Sequence, residues 1–204
     1  MIDKHLKVTP PSQYHTSLWK NGKGKTTELA INDNGTLDNF SFRLSIATVS
    51  EDGLFSNFNG LERNLFLLSG NGIELSHQSN TTGNGEDKTI DKLTKKLDYA
   101  TFNGGSTTFG RLLDGGITDF NVIHNAQKHS VDIITTEQVS AVDIKAADRC
   151  FIYPTKTAVT LFNLTDNSER QISAQHLLCL NKIKHQQFRI KGEQMIIIHF
   201  TDIN

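Results

Sequence analysis

The sequence predicts an all-β protein, a sandwich or jelly roll of short strands. Three observations carry this. Apolar residues alternate with small or polar ones over short segments, as a half-buried strand requires. Gly- and Asn-containing turns separate those segments. No long segment shows an apolar stripe at helical period.

The first clear strand is Phe40 to Val49. Phe40, Phe42, Leu44 and Ile46 point one way, and Ser41, Arg43, Ser45 and Ala47 the other. Arg63 to Leu68 is the next, followed by a Gly70-Asn71-Gly72 turn and the strand Ile73 to Leu75. Ser76 to Lys88 is Ser, Thr, Asn, Gly and charge, with nothing to bury, and reads as a mobile loop. Phe120–Ile123, Val139–Ile144, Phe151–Tyr153, Val159–Leu164, Leu177–Leu180, Phe188–Ile190 and Met195–Phe200 are further strands. A break falls at Asn125 to Ser130. Past it, Arg149-x-Phe-Ile-Tyr to Leu161 repeats the step of Arg63-x-Leu-Phe-Leu to Leu75. Leu65 then matches Phe151, Leu67 matches Tyr153, Ile73 matches Val159 and Leu75 matches Leu161. A duplicated jelly roll leaves such a trace. The expected organisation is an N-terminal barrel, residues 1–130, carrying the pocket, and a degenerate C-terminal barrel, residues 131–204. Strands are free to exchange between the halves.

With 204 residues, 36% of them hydrophobic, the chain can bury one large core or two small ones. The 21 basic and 22 acidic residues leave a net charge of −1 and form no long block, which argues against a nucleic-acid surface. The start, Met1-Ile2-Asp3-Lys4-His5, is too polar for a secretory signal, and no apolar run reaches membrane-spanning length. Cys150 and Cys179 form no CxxC and read as reduced core thiols, so the expected location is cytoplasmic. The histidines form no HxH or HExxH, and no serine sits in GxSxG. His124 and His199 read as structural or exposed residues rather than ligands.

The segment Ser56-x-Phe58 … Arg63 … Gly70 has the spacing of the first cupin motif, which it resembles. There the positions of Ser56 and Phe58 carry histidines and that of Arg63 a metal-binding Glu. A hydroxyl, a phenyl ring and a guanidinium do not make a metal-ligand set, and the guanidinium repels a cation. The expected pocket therefore holds no metal and no cofactor, but an anion or a polar small molecule.

Four segments carry a closer resemblance. They are Trp19-Lys20-Asn21-Gly22-Lys23-Gly24-Lys25-Thr26-Thr27-Glu28-Leu29; Phe42-Arg43-Leu44-Ser45-Ile46-Ala47 with Asp52-Gly53-x-Phe55-Ser56-x-Phe58-x-Gly60-x-x-Arg63; Phe102-Asn103-Gly104; and Arg111-Leu112-Leu113 with Asp119-Phe120-Asn121-Val122. Together they resemble the HutD/Ves family, whose members are bicupins. The resemblance implies two packed jelly-roll barrels and a small-molecule-binding accessory or regulatory protein linked with histidine utilisation.

The candidate site follows from the residue types. Arg43 is the one long cation on a face of small residues, and its planar fork fits a carboxylate. Arg63 shares a strand face with Leu65 and Leu67, so it needs a partner: Asp119, Glu28 or a ligand carboxylate. Asp119 and Asn121 lie on one strand face and suit a ligand with amine or amide and acid groups. Trp19 to Glu28 reads as a glycine-rich loop laying Trp19, Asn21 and Thr26 over the pocket mouth, with Glu28 entering the strand beyond. With Ser56 and Phe58 these residues form the expected ligand site.

The leading reading is a non-catalytic binding protein for a small anionic metabolite. The alternative is a metal-independent isomerase or hydrolase using Asp119 or Glu28 as base, although carboxylates beside arginines are expected to have depressed pKa values. A third is a metal-dependent cupin using His124 or His176. The bulky face of Phe40 and Phe42 offers a surface for a homodimer.

Overall fold

The computed structural model describes residues 5–19, 22, 24–79, 88–185 and 187–203. Their contacts form two units, one of residues 15–126 and the other of residues 127–203 with 5–14. The sequence-based boundary near residue 130 thus falls at 126/127, and the N-terminal strand β1 (Leu6–Thr9) belongs to the second unit.

The first unit contains β2 (His15–Leu18), β3 (Gly24–Ile31), β4 (Phe42–Val49), β5 (Gly53–Leu54), β6 (Glu62–Ser69), β7 (Ile73–Gln78), β8 (Lys88–Leu93), β9 (Tyr99–Asn103), β10 (Thr107–Leu112) and β11 (Ile117–His124). The second adds β12 (His129–Thr136), β13 (Ser140–Asp143), β14 (Arg149–Pro154), β15 (Val159–Asn163), β16 (Ser168–Ile172), β17 (Leu177–Asn181), β18 (Phe188–Gly192) and β19 (Met195–Asp202). Every strand pairing is antiparallel among the described residues. These residues contain no α-helix, only 3-10 turns at Pro11–Gln13 and Ile183–His185. Among the described residues no helix is long and apolar enough to cross a membrane.

In the first unit a sheet ordered β2-β3-β4-β11-β6-β9 and a sheet ordered β5-β10-β7-β8 share one apolar cluster. Val49, Leu65, Leu67 and Ile117 enter it from the larger sheet, and Ile73, Leu75 and Leu93 from the smaller. In the second unit the sheets run β1-β17-β14-β19-β12 and β13-β18-β15-β16. Each strand from β4 to β11 has a counterpart eight places later in the same sheet position, so the topology is duplicated.

The repeat as read from sequence is half in phase. Val159 and Leu161 enter the interior cluster of the second unit as Ile73 and Leu75 enter that of the first. On β14, however, the interior residues are Cys150 and Ile152, not Phe151 and Tyr153. A slip of one residue reverses every side chain in a strand. Arg149 therefore faces away from the interior and is not the counterpart of Arg63. It approaches Asp202 at 3.8 Å.

Several polar strands lie outside the sequence expectation. Ser76, His77 and Gln78 continue β7, and Lys88 opens β8, so both ends of the expected loop are strand. Residues 80–87 lie outside the described ones. His77 is buried there because its Nδ1 meets the Thr108 hydroxyl at 2.9 Å. Strand β3 starts at Gly24, which places Thr26 in the sheet rather than in a loop, while Glu28 lies in the strand as expected. Phe42 is buried, and Phe40 stands edge-on to Phe58 with ring centroids 5.9 Å apart, so the two present no open apolar face. Cys150 and Cys179 are free thiols.

Candidate functional site

Directly opposed residues in an antiparallel ladder put their side chains on one face. The register of the larger sheet therefore gives the site. One cross-strand row runs Arg43, Ile123, Arg63, Phe102. The next runs His15, Glu28, Ser45, Asn121, Leu65. A third holds Ser17, Thr26, Ala47, Asp119, Leu67. One end of this interior face is apolar and filled. The other end carries both arginines and encloses a cavity of about 500 Å3.

Trp19, Thr26, Arg43, Ser56, Phe58, Arg63 and Asn121 all line that cavity. Leu37, Leu54, Phe55, Ser45 and Ala47 complete much of its wall. Glu28 lines an adjoining recess instead, and Asp119 lies beneath Asn121 and does not reach the cavity. Asn21 lies outside the described residues.

Arg63 is 5% exposed. Its Nε donates to Asn121 Oδ1 at 2.8 Å. Its guanidinium lies 4.9 Å from the ring centroid of Phe55, 5.6 Å from that of Phe102 and 5.9 Å from that of Phe58. The electron-rich ring faces attract the cation. Burial pulls its pKa down to about 10; Asp119 opposes the fall and Arg43 adds to it. At neutral pH the group still carries its full charge, and the two arginines feel one another. Neither terminal nitrogen of Arg63 has a hydrogen-bond partner among the described residues.

Arg43 is 8% exposed and donates from Nε to Glu28 Oε2 at 2.8 Å. The partner assignment thus differs from the sequence expectation. Glu28 pairs with Arg43, and Asp119 reaches Arg63 only through Asn121, whose Nδ2 donates to Asp119 Oδ1. Asp119 is wholly buried, and its Oδ2 has no hydrogen-bond partner among the described residues. Burial raises its pKa from 3.8 to about 7, against the opposing pull of Arg63 and the Asn121 hydrogen bond. The expectation of a depressed carboxylate fails here because desolvation outweighs the neighbouring charge.

The motif glycines and Asp52 hold the wall in place. Phe58 N donates to Gly104 O at 2.7 Å, and Gly104 N to Leu61 O at 2.8 Å. A Cβ on Gly104 would stand 2.9 Å from Phe58 O, so only glycine allows this approach. Asp52 Oδ1 accepts from Leu112 N at 2.8 Å and pins the start of the segment. Trp19 Nε1 donates to Thr26 Oγ1 at 2.8 Å, which fixes the indole at the mouth.

Cupins that hold a metal use imidazoles and a carboxylate at the positions of Ser56, Phe58 and Arg63. Those three side chains do line the cavity, and they do not fit a metal ion. No group of three His, Cys, Asp or Glu side chains among the described residues is placed to hold one. His124 lies on the opposite strand face from Ile123, with Nε2 3.5 Å from Glu62 Oε1, and His176 belongs to the other unit. Buried His199 meets Lys145 N through Nε2 at 3.2 Å.

The fold and the site define a duplicated cupin-type barrel with an arginine, Arg63, at the position of the cupin motif's metal-binding Glu. The HutD family model matches residues 11–198, and the chain belongs to that family. An uncharacterised 21.2 kDa protein in the hutC 3′ region of Pseudomonas putida is 34% identical over 124 residues, which cover 61% of this chain and 60% of that protein. The chain thus spans about three fifths of that relative. Protein Ves of Citrobacter koseri is 25% identical over 190 residues, 92% of this chain and 88% of its own. HutD of Pseudomonas fluorescens SBW25, solved in a formate condition, matches at a TM-score of 0.80 and 24% identity over 98% of this chain and 100% of its own. A formate complex of Lactobacillus farciminis oxalate decarboxylase matches at a TM-score of 0.61 over 100% of this chain and 89% of its own; at 11% identity it shows the cupin fold alone.

Proposed function

We propose that the N-terminal barrel binds a small anionic metabolite and that the protein serves histidine breakdown as an accessory or regulatory factor rather than as one of its enzymes. One observation carries this reading: two buried arginines line a single cavity, and each spends only its Nε on the protein. A buried guanidinium with free donors is stabilised by an anion that accepts from them. The phenyl rings around Arg63 keep water away and favour a guest that is charged at one end and apolar at the other. The similarity to the protein in the hutC 3′ region supports the link with histidine breakdown. Titration calorimetry with formate and with carboxylated intermediates of histidine breakdown tests it. Arg43→Ala and Arg63→Ala should each abolish the wild-type heat, and full affinity in both variants refutes the site.

A second reading is metal-independent catalysis with Asp119 as base, favoured by its pKa of about 7. Its seclusion beneath Asn121 counts against it, because a base must reach the proton it removes. Turnover of a pathway intermediate that is lost in Asp119→Asn would establish it.

A further inference from the structure

The Arg43–Glu28 ion pair is a partition between two cavities. On one side lies the 500 Å3 cavity, and on the other a recess of about 300 Å3 lined by His15, Ser17, Glu28 and Thr36, with Arg43 and Leu37 common to both. We propose that this recess takes the protonated amine of the guest, so that the ligands of the site are amino-carboxylates rather than simple carboxylates. The inference rests on the anion reading of Arg43 and Arg63 and adds the second half of the ligand.

Three acceptors converge on the recess. Glu28 uses Oε2 for Arg43, while Oε1 accepts from no described residue. Its side chain keeps 26% of its exposure, so the free oxygen remains reachable. The hydroxyls of Ser17 and Thr36 have no hydrogen-bond partner among the described residues either. An ammonium carries three N–H donors and no acceptor, and a carboxylate with two hydroxyls meets that need. Ile31 and Leu37 flank the recess.

Charge balance points the same way. Arg43 and Glu28 neutralise each other in the free protein. An anion drawn to Arg43 competes with Glu28 for it and leaves a half-buried carboxylate short of counter-charge. A cationic group on the same guest restores the balance. Since Arg43 Nε and Glu28 Oε2 are 2.8 Å apart, the two subsites adjoin, and the guest's amine and acid are separated by only a few bonds. The Asp119–Asn121 pair cannot supply this recognition. The Asn121 oxygen is taken by Arg63 and its amide donates to Asp119.

The test is calorimetry on the wild type and Glu28→Gln with two matched pairs: L-glutamate against glutarate, and L-phenylalanine against 3-phenylpropanoate. In the wild type the amino member of at least one pair should bind roughly tenfold or more tighter, the usual weight of a hydrogen bond to a charged group. That advantage should vanish in Glu28→Gln, which keeps an oxygen for Arg43 but no charge, while the des-amino acid binds at least as tightly because no carboxylate competes for Arg43. Equal or weaker binding of the amino member in both pairs overturns the inference and leaves the anion site standing. So does an advantage that survives Glu28→Gln. If none of the four acids binds the wild type, the anion reading falls and takes this inference with it.

Discussion

Asp119→Asn should make the N-terminal barrel more stable at alkaline pH and remove the part of its pH dependence that Asp119 carries. Burial raises the carboxyl from 3.8 to about 7 in the folded protein. Between those values the folded state holds a proton that the unfolded state has released. Stability therefore falls as pH rises through this window, and the loss is complete above about pH 7. About three pH units at about 1.4 kcal/mol each put the full penalty at roughly 4 kcal/mol. Between pH 5 and pH 8 the wild type should lose roughly 3 kcal/mol relative to Asp119→Asn. The amide is nearly isosteric, and its oxygen can still accept from Asn121. The chain's one tryptophan, Trp19, lies in this barrel, so urea unfolding followed by indole emission reports the right unit. All other groups are common to both proteins and cancel in the difference. Parallel pH profiles for wild type and variant would show that Asp119 is ionised throughout, and the argument from burial would fail. The same proton should couple to the ligand. An anion beside Arg63 further favours protonated Asp119, so carboxylate affinity should rise as pH drops from 8 to 6, and Asp119→Asn should flatten that slope.

Two other perturbations check separate parts of the reading. A Cβ at Gly24 would collide with the backbone oxygen of Thr48 and stand 2.9 Å from the Trp19 ring. Gly24→Ala should cost about 1–3 kcal/mol in urea unfolding and shift the Trp19 emission, as overpacking does; an unchanged spectrum and midpoint would mean that the indole does not rest on Gly24. Metal analysis of protein purified without a histidine tag should give well under one equivalent of iron, zinc or manganese, and a stoichiometric metal would defeat the argument from Ser56, Phe58 and Arg63.

The parts of the site legible in the sequence were those where one strand face differs sharply from the other. Arg43 among Ser41, Ser45 and Ala47 is such a case, and so is Arg63 at the head of the Leu65–Leu67 row. What could not be read was who meets whom. Glu28 and Asp119 were both candidate partners for Arg63, and only the β3–β4 register puts Glu28 against Arg43. The three rings around Arg63 come from the segment before β6 and from β9, far apart in sequence. The start of strand β3 reads as a loop because its interior residues Thr26 and Glu28 are polar and line cavities instead of an apolar core. Apolar periodicity detects strands that bury hydrocarbon. A strand whose interior face lines a cavity is nearly silent to it.

The same limit explains the slipped repeat. Arg63 and Arg149 each open a short apolar strand, and sequence alone aligns them. Both faces of β14 are buried: Cys150 and Ile152 on one, Phe151 and Tyr153 on the other. Such a strand has no polar face to betray its phase, so pattern cannot choose between registers one residue apart. The choice decides which side chains each barrel turns inward. In the first unit the arginine faces inward and holds the cavity open. In the second the inward residues Cys150, Ile152, Leu178, Leu180 and Ile197 pack into one apolar cluster, and the buried arginines among the described residues, Arg43 and Arg63, both lie in the first unit. The duplicated topology is thus shared by both units, while the cationic interior belongs to the first. It is there that Arg63, Arg43 and Glu28 leave donors and acceptors unused by the protein.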